Sequence, residues 1–151
     1  PENAALLRRN LRANGALRAE VEECAVADVD GVLPLFLGRS GTTHQLFARD
    51  HAQATGESVE VRVATLPGLL AKHGIERVDF LKLDCEGAEG RILPALPDEL
   101  FAGLRAVALE FHDDASPLSH QRLQELLAAR GFRVRCAWDG RSANGMLFAH
   151  R

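Results

Sequence analysis

VDFLKLDCEGAEGRIL, residues 78–93, changes character halfway along its length. Val78, Phe80, Leu81 and Leu83 make the first half apolar, interrupted by Asp79 and Lys82, which is the pattern of a mostly buried strand. The second half turns acidic and glycine-bearing at Asp84-Cys85-Glu86-Gly87 and then passes into a helix-like run. A strand ending in carboxylates just ahead of a helix sets them at the carboxyl edge of a parallel sheet, where open α/β folds bind their ligands. Capping is the plainer account. Asp84 can cap the next helix, and Glu86 and Glu89 can be first-turn acids, worth about 0.3–1 kcal/mol each. That account leaves Lys82 within the strand, and Gly87 directly behind two acids, without a reason.

Outward from this stretch the chain alternates strand and helix. Pro1 to Gly15 has the spacing of a helix, with Leu6, Leu7 and Leu11 on one face and Asn14-Gly15 as its stop. Val21 to Ala27 is a short strand ending at Asp28, and Val32 to Leu37 is a second, placed at a sheet edge by Pro34. Val59 to Ala64 alternates with period two, and Leu66 to His73 is a short helix stopped by Gly74. After Leu93, Pro94 and Pro97 break the helix, and a short turn begins at Asp98-Glu99. Ala106 to Phe111 is a second apolar strand, closed by Glu110, His112, Asp113 and Asp114. Two successive buried strands therefore end in carboxylate clusters. Ser119 to Arg130 is an amphipathic helix with Gly131 as its stop, and Phe132–Trp138 with Met146–His150 forms a closing antiparallel pair. The fold class is α/β, with helices expected on both faces of a sheet.

Composition narrows the function. The 151 residues suffice for one domain or part of one, and the net charge of −3 comes without a Lys/Arg-rich run. A nucleic-acid partner calls for a basic stripe, and aromatic residues are only 5% of the chain, too few for a base-stacking platform. No apolar stretch approaches a membrane span, so a soluble, cytoplasmic protein without membrane partners is expected. Three dispersed cysteines, Cys24, Cys85 and Cys136, fit reduced thiols, and the six scattered histidines offer no ligand pair for zinc. Asp84, Glu86, Asp113 and Asp114 can offer oxygen to Mg²⁺, but hard-cation sites need several converging groups, and no metal is assigned.

The block Lys82, Asp84, Glu86, Gly87 and Glu89 behind its apolar strand resembles, at every position, the Lys-x-Asp-x-Glu-Gly-x-Glu signature of FkbM-type S-adenosylmethionine-dependent methyltransferases. The resemblance implies a Rossmann-like class I sheet, mostly parallel with an antiparallel last strand, and the closing hairpin has that form. It also implies S-adenosyl-L-methionine as cofactor and a small-molecule acceptor. Pro1 to Gly15 looks like the segment such enzymes carry after their second strand. On that alignment residues 1–151 are the carboxy-terminal part of the domain, missing its first strands and its glycine-rich cofactor loop. Without the first strand the Val78 strand is expected to leave an open edge, the two halves to be disconnected, and the segment alone to fold poorly. Pro67 and Pro94 depart from the family pattern, affecting helix starts more than chemistry.

Methyl transfer asks a protein to hold donor and nucleophile in line and to remove a proton where the nucleophile is a hydroxyl. Asp84 and Glu86, two apart along an extended segment, lie about 7 Å apart and can face one cavity. The resemblance places Asp84 beside the cofactor's methionine moiety or the acceptor hydroxyl, with Glu86 in the same pocket. His112 is the preferred general base, since an unperturbed imidazole titrates near neutral pH; a plain surface histidine is the competing account. Glu110 can orient that imidazole or contact the acceptor. Cys24, Ala25 and Asp28 occupy the region where class I enzymes contact adenine. Ser40 to His44 resembles a polar loop that approaches the acceptor, Ser40 and His44 being its candidates, against a solvated connector. The expected activity is O-methylation of a hydroxyl on a sugar or secondary metabolite. A nucleotide-dependent oxidoreductase on a doubly wound sheet and a non-catalytic remnant or interaction module of the same fold stay open.

Overall fold

The computed structural model describes residues 2–16, 18–38, 44–47 and 54–151. Its elements run α1 (Glu2–Ala13), β1 (Ala25–Ala27), β2 (Gly31–Gly38), β3 (Ala54–Thr65), α2 (Leu66–Lys72), β4 (Phe80–Leu83), α3 (Glu89–Ala95), α4 (Asp98–Gly103), β5 (Ala106–His112), α5 (His120–Ala129), β6 (Arg133–Ala137) and β7 (Asn144–His150). The alternation expected from the sequence is present, with shifted ends. β1 is three residues rather than seven, β3 begins at Ala54, and α3 carries Pro94 in its last turn instead of stopping before it. Thr65 caps α2 by accepting the Gly68 N–H, and Asp30 accepts the Thr65 N–H at 2.9 Å.

The strands form two sheets, a three-stranded one in the order β1-β3-β2 and a four-stranded one in the order β4-β5-β7-β6. Both are mixed. β1 runs parallel to β3 and β4 to β5, whereas β2 opposes β3, and β7 opposes both β5 and β6. Pro34 sits on β2, at an edge as its missing N–H requires. β7, the last strand, lies reversed between β5 and β6. β4 ends the second sheet with one side unpaired among the described residues.

Side-chain alternation sets where the core lies. Leu81 and Leu83, Val107 and Leu109, and Leu147 and Ala149 point to one face, joined there by Ile92 and Leu93 of α3 and by Leu123 and Leu127 of α5. The register puts Phe80 and Lys82, Ala106 and Ala108, Phe148 and His150, and Arg133 and Arg135 on the other face. There Phe80 is 58% and Phe148 36% exposed. Helices on both faces of this sheet, expected from the sequence, are thus not found among the described residues: α3 and α5 share one face. The two sheets meet through apolar contact rather than a shared ladder, with Val26, Phe47 and Leu66 packed on the larger core. Arg91 of α3 ties them further, lying over the Phe47 ring and 3.7 Å from Asp28. Within the smaller half, Lys72, His73 and Arg62 converge on Glu22, holding its carboxyl down to about 2.

Close packing behind β4 leaves no room for a methyl at two glycines. A Cβ on Gly87 would lie 2.6 Å from the Ala115 Cβ, and one on Gly90 would overlap Ser116 Oγ and sit 2.9 Å from the Leu118 nitrogen. Gly90→Ala should therefore destabilise the protein by about 1–3 kcal/mol through overpacking. Denaturant unfolding checks this, and an unchanged midpoint would mean that the 115–118 segment yields freely.

Candidate functional site

β4 ends at Leu83, and the chain leaves the sheet through Asp84 and Cys85 into a turn at Glu86-Gly87 before α3 starts at Glu89. Glu86 has φ 49°, in the left-handed region that a side-chain-bearing residue adopts only when its surroundings enforce it. Gly87 follows at φ 101°. Glu89 holds this turn. It is fully buried, and its two oxygens accept the N–H groups of Cys85 at 2.7 Å and Gly87 at 3.0 Å. The residue before the helix is Ala88, which has no capping side chain, so Glu89 supplies from inside the helix what a cap supplies from outside.

The other wall is the end of β5. His112 is only 7% exposed. Its Nδ1 lies 3.4 Å from Glu89 Oε1, a charge contact too misaligned to count as a hydrogen bond, and has no other partner. Its Nε2 faces Glu86 Oε2 at 3.7 Å and Glu110 Oε1 at 4.0 Å. Carboxylates from the turn, from α3 and from β5 itself therefore surround one imidazole. Burial works against its protonation, but Glu89, Glu86 and Glu110 outweigh burial and raise its pKa. Burial also raises the Glu86 pKa, helped by Asp84, Glu110 and Glu89 and opposed by His112. Glu110 is further fixed by the Asn144 side-chain amide at 3.2 Å, from the start of β7.

The structure brings His112, Glu86 and Glu110 together, as the sequence suggests. Asp84 sits on the same turn with its carboxylate outward, paired with Lys82 Nζ at 2.7 Å across one strand residue. Asp28 lies just past β1 and reaches Arg91, the third residue of α3, so it borders the same edge. Cys24 and Ala25 are at the entrance of β1, where Ala25 pairs with Val63. His44 accepts the Gly38 N–H through Nδ1 at 3.1 Å, and Ser40 lies outside the described residues. Cys85 is no nucleophile here, since burial and then Glu89 push its thiol up to about 11. Among the described residues no three His, Cys, Asp or Glu side chains converge as a metal centre requires.

Two residues have no assigned role in the sequence reading. Glu89 is part of the signature block without a stated contact, although an acid at the first helical position can reach back to orphan N–H groups. His120, at the start of α5, is held by Asp113, which accepts its N–H at 2.7 Å and contacts its Nδ1 at 2.6 Å. Its ring stacks on Phe111, with centroids 4.6 Å apart. Nothing in the local sequence signals that pair, because it depends on the path of residues 113–119.

The model of the methyltransferase FkbM domain matches residues 1–134. The 31-O-demethyl-FK506 methyltransferase FkbM of Streptomyces tacrolimicus is 28% identical over 82% of this chain and 58% of its own length. The AMB antimetabolite synthetase AmbE of Pseudomonas aeruginosa is 34% identical over 55% of this chain and 4% of its own length. The chain thus spans less than two thirds of both relatives. No solved structure matches it.

A raised histidine pKa makes stability depend on pH. The protonated imidazole's contacts with Glu89, Glu86 and Glu110 stabilise the fold fully below the unfolded value near 6.5 and lose that contribution as pH rises through the elevated folded pKa. Denaturant unfolding from pH 6 to 9 should show this decline, and His112→Gln should remove it. An identical decline in the variant would place the titrating group elsewhere.

Proposed function

The chain belongs to the FkbM methyltransferase domain family, and from that premise we propose that it acts in O-methylation, using S-adenosyl-L-methionine, of a hydroxyl on a sugar or secondary metabolite. The observation that carries the reading is the His112 imidazole at the end of β5, with Nε2 toward Glu86 and Glu110. It stands where the strand-ending carboxylates of β4 and β5 meet, at the edge that open α/β sheets use for ligands. The Streptomyces relative is a methyltransferase of a 31-O-demethyl compound, which supports oxygen as the accepting atom.

The residues present suit a cationic methyl donor by their donor chemistry: Asp84, Glu86 and Glu110 give the edge a concentration of negative charge, which favours a sulfonium. Asp84, with Asp28 just past β1 of the smaller sheet, would hold it. When bound, S-adenosyl-L-methionine supplies an electrophilic methyl group. The chain's own work lies on the acceptor side. Glu110 and Glu86 offer acceptor oxygens to sugar-like hydroxyls, and the Asn144 amide keeps Glu110 in place. His112 Nε2 takes the proton of the hydroxyl that is methylated, which turns a poor nucleophile into a good one. The resulting imidazolium sits among Glu89, Glu86 and Glu110, which favour it electrostatically. Cys24, Ala25, Ser40 and His44 are proposed only as second contacts, the first two to the cofactor and the others to the acceptor.

The test is calorimetric titration of S-adenosylhomocysteine into the full-length protein, followed by methyl-transfer assays on hydroxylated acceptors. Asp84→Asn should weaken cofactor binding. His112→Gln should leave binding nearly unchanged while lowering kcat about 10²- to 10⁴-fold. A folded protein that binds no cofactor would favour a non-catalytic module instead, and binding of a nicotinamide cofactor would favour the oxidoreductase.

A further inference from the structure

Glu89 does more than shape a turn. It is the one fully buried charged side chain of the described core, and three groups converge on it: the Cys85 N–H, the Gly87 N–H and His112 Nδ1. Both backbone groups are donors, so both oxygens already serve as acceptors. Only a protonated Nδ1 complements that arrangement. A bare Nδ1 lone pair would face the lone pairs of Glu89 Oε1 at 3.4 Å, shielded from water, whereas an Nδ1–H in the same place is drawn to the carboxylate. The opposite ring nitrogen has a different setting, between Glu86 at 3.7 Å and Glu110 at 4.0 Å, both of them partly exposed.

We propose that Glu89 is the positioning residue for His112: it keeps the proton of the neutral imidazole on Nδ1 and so presents the Nε2 lone pair to the acceptor between Glu86 and Glu110. The inference rests on the general-base reading of His112 given above. It assigns the orienting role to Glu89 on α3, in place of Glu110. The logic is that of any carboxylate behind a catalytic imidazole: the acid fixes tautomer and ring orientation, then stabilises the imidazolium once Nε2 has taken its proton. The proton travels from the acceptor oxygen to Nε2 and leaves from Nε2 to solvent after the product departs, so Nδ1 keeps its own proton throughout. Position along α3 explains why a glutamate is needed. From the first helical position its side chain must reach back over Gly87, and Gly87 itself admits no Cβ against Ala115.

Long-range ¹H–¹⁵N correlation on the full-length protein tests this directly, with the His112 signals identified by their loss in His112→Gln. Above its titration midpoint, His112 should show a protonated Nδ1 and a bare Nε2; a dominant Nε2–H form would overturn the assignment. In Glu89→Gln the Nδ1–H preference should fall at least tenfold, and the acid limb of the kcat–pH profile should move down by about one unit, since a neighbouring carboxylate no longer favours the charged ring. S-adenosylhomocysteine affinity should hardly change. A folded Glu89→Gln protein with unaltered tautomer and pH profile would reduce Glu89 to a turn-holding role. Should that variant not fold, the wild-type spectrum decides alone. The two readings fail separately: the tautomer is measured without turnover, and methyl transfer with a dominant Nε2–H form would refute Glu89's role while sparing the activity.

Discussion

A carboxylate buried without water must be satisfied by the protein around it, and Glu89 imposes that constraint on everything near the end of β4. Its two oxygens require two N–H donors in fixed places, and the chain provides them only by turning sharply through Glu86 and Gly87 with positive φ at both. The turn in turn demands a residue without Cβ, because Ala115 closes in from the loop after β5. That loop is pinned by its own polar contact, Asp113 on His120, which also starts α5. One buried acid thus couples the end of β4, the start of α3, the end of β5 and the loop to α5. Relaxing any of them exposes or orphans a polar group, and this is why the segment packs with so little slack.

The same coupling creates the chemistry. His112 would be an ordinary histidine at a strand end if Glu89 were not behind it. Burial alone disfavours its charged form, whereas three carboxylates favour it, and the carboxylates prevail. The acids pay differently for the arrangement. Glu86 is held against its ionised form by burial and by its acidic neighbours, while Asp84 escapes outward to Lys82. Negative charge is therefore graded across the edge, with the imidazole at its inner end.

The larger architecture supports that edge from one side. α3 and α5 lie against the Leu83, Leu109 and Leu147 face and press the motif turn onto β5. The opposite face carries Phe80, Lys82, Phe148 and Arg135, and along β5 the same side-chain alternation runs from Ala106 and Ala108 through Glu110 to His112 at the strand end. The smaller sheet joins through apolar contact and Arg91, which bridges Phe47 and Asp28 and so brings the end of β1 beside the start of α3.

Much of this was legible in the chain. The apolar run ending at Leu83, the acids after it and the helix beyond are written in residue order, since strand and helix periods are local properties. So is the antiparallel close, because Asp139-Gly140 is a turn signal between two short strands, although Asn144-Gly145, a turn dipeptide by composition, opens β7 instead. The same motif sufficed to identify the methyltransferase family. What tertiary structure alone decided was which acid meets which atom. Glu86, Glu89 and Glu110 look alike in sequence, yet one is buried behind Nδ1 and two flank Nε2, because backbone turns and sheet register aim side chains in ways that spacing does not record. Asp84 stands between Glu86 and Lys82 in the chain and was aimed at Lys82 by the pleat of β4. Likewise both helices chose one sheet face, since alternation fixes that a strand has two faces but not what covers each. Local order set the elements, and long-range packing set the site.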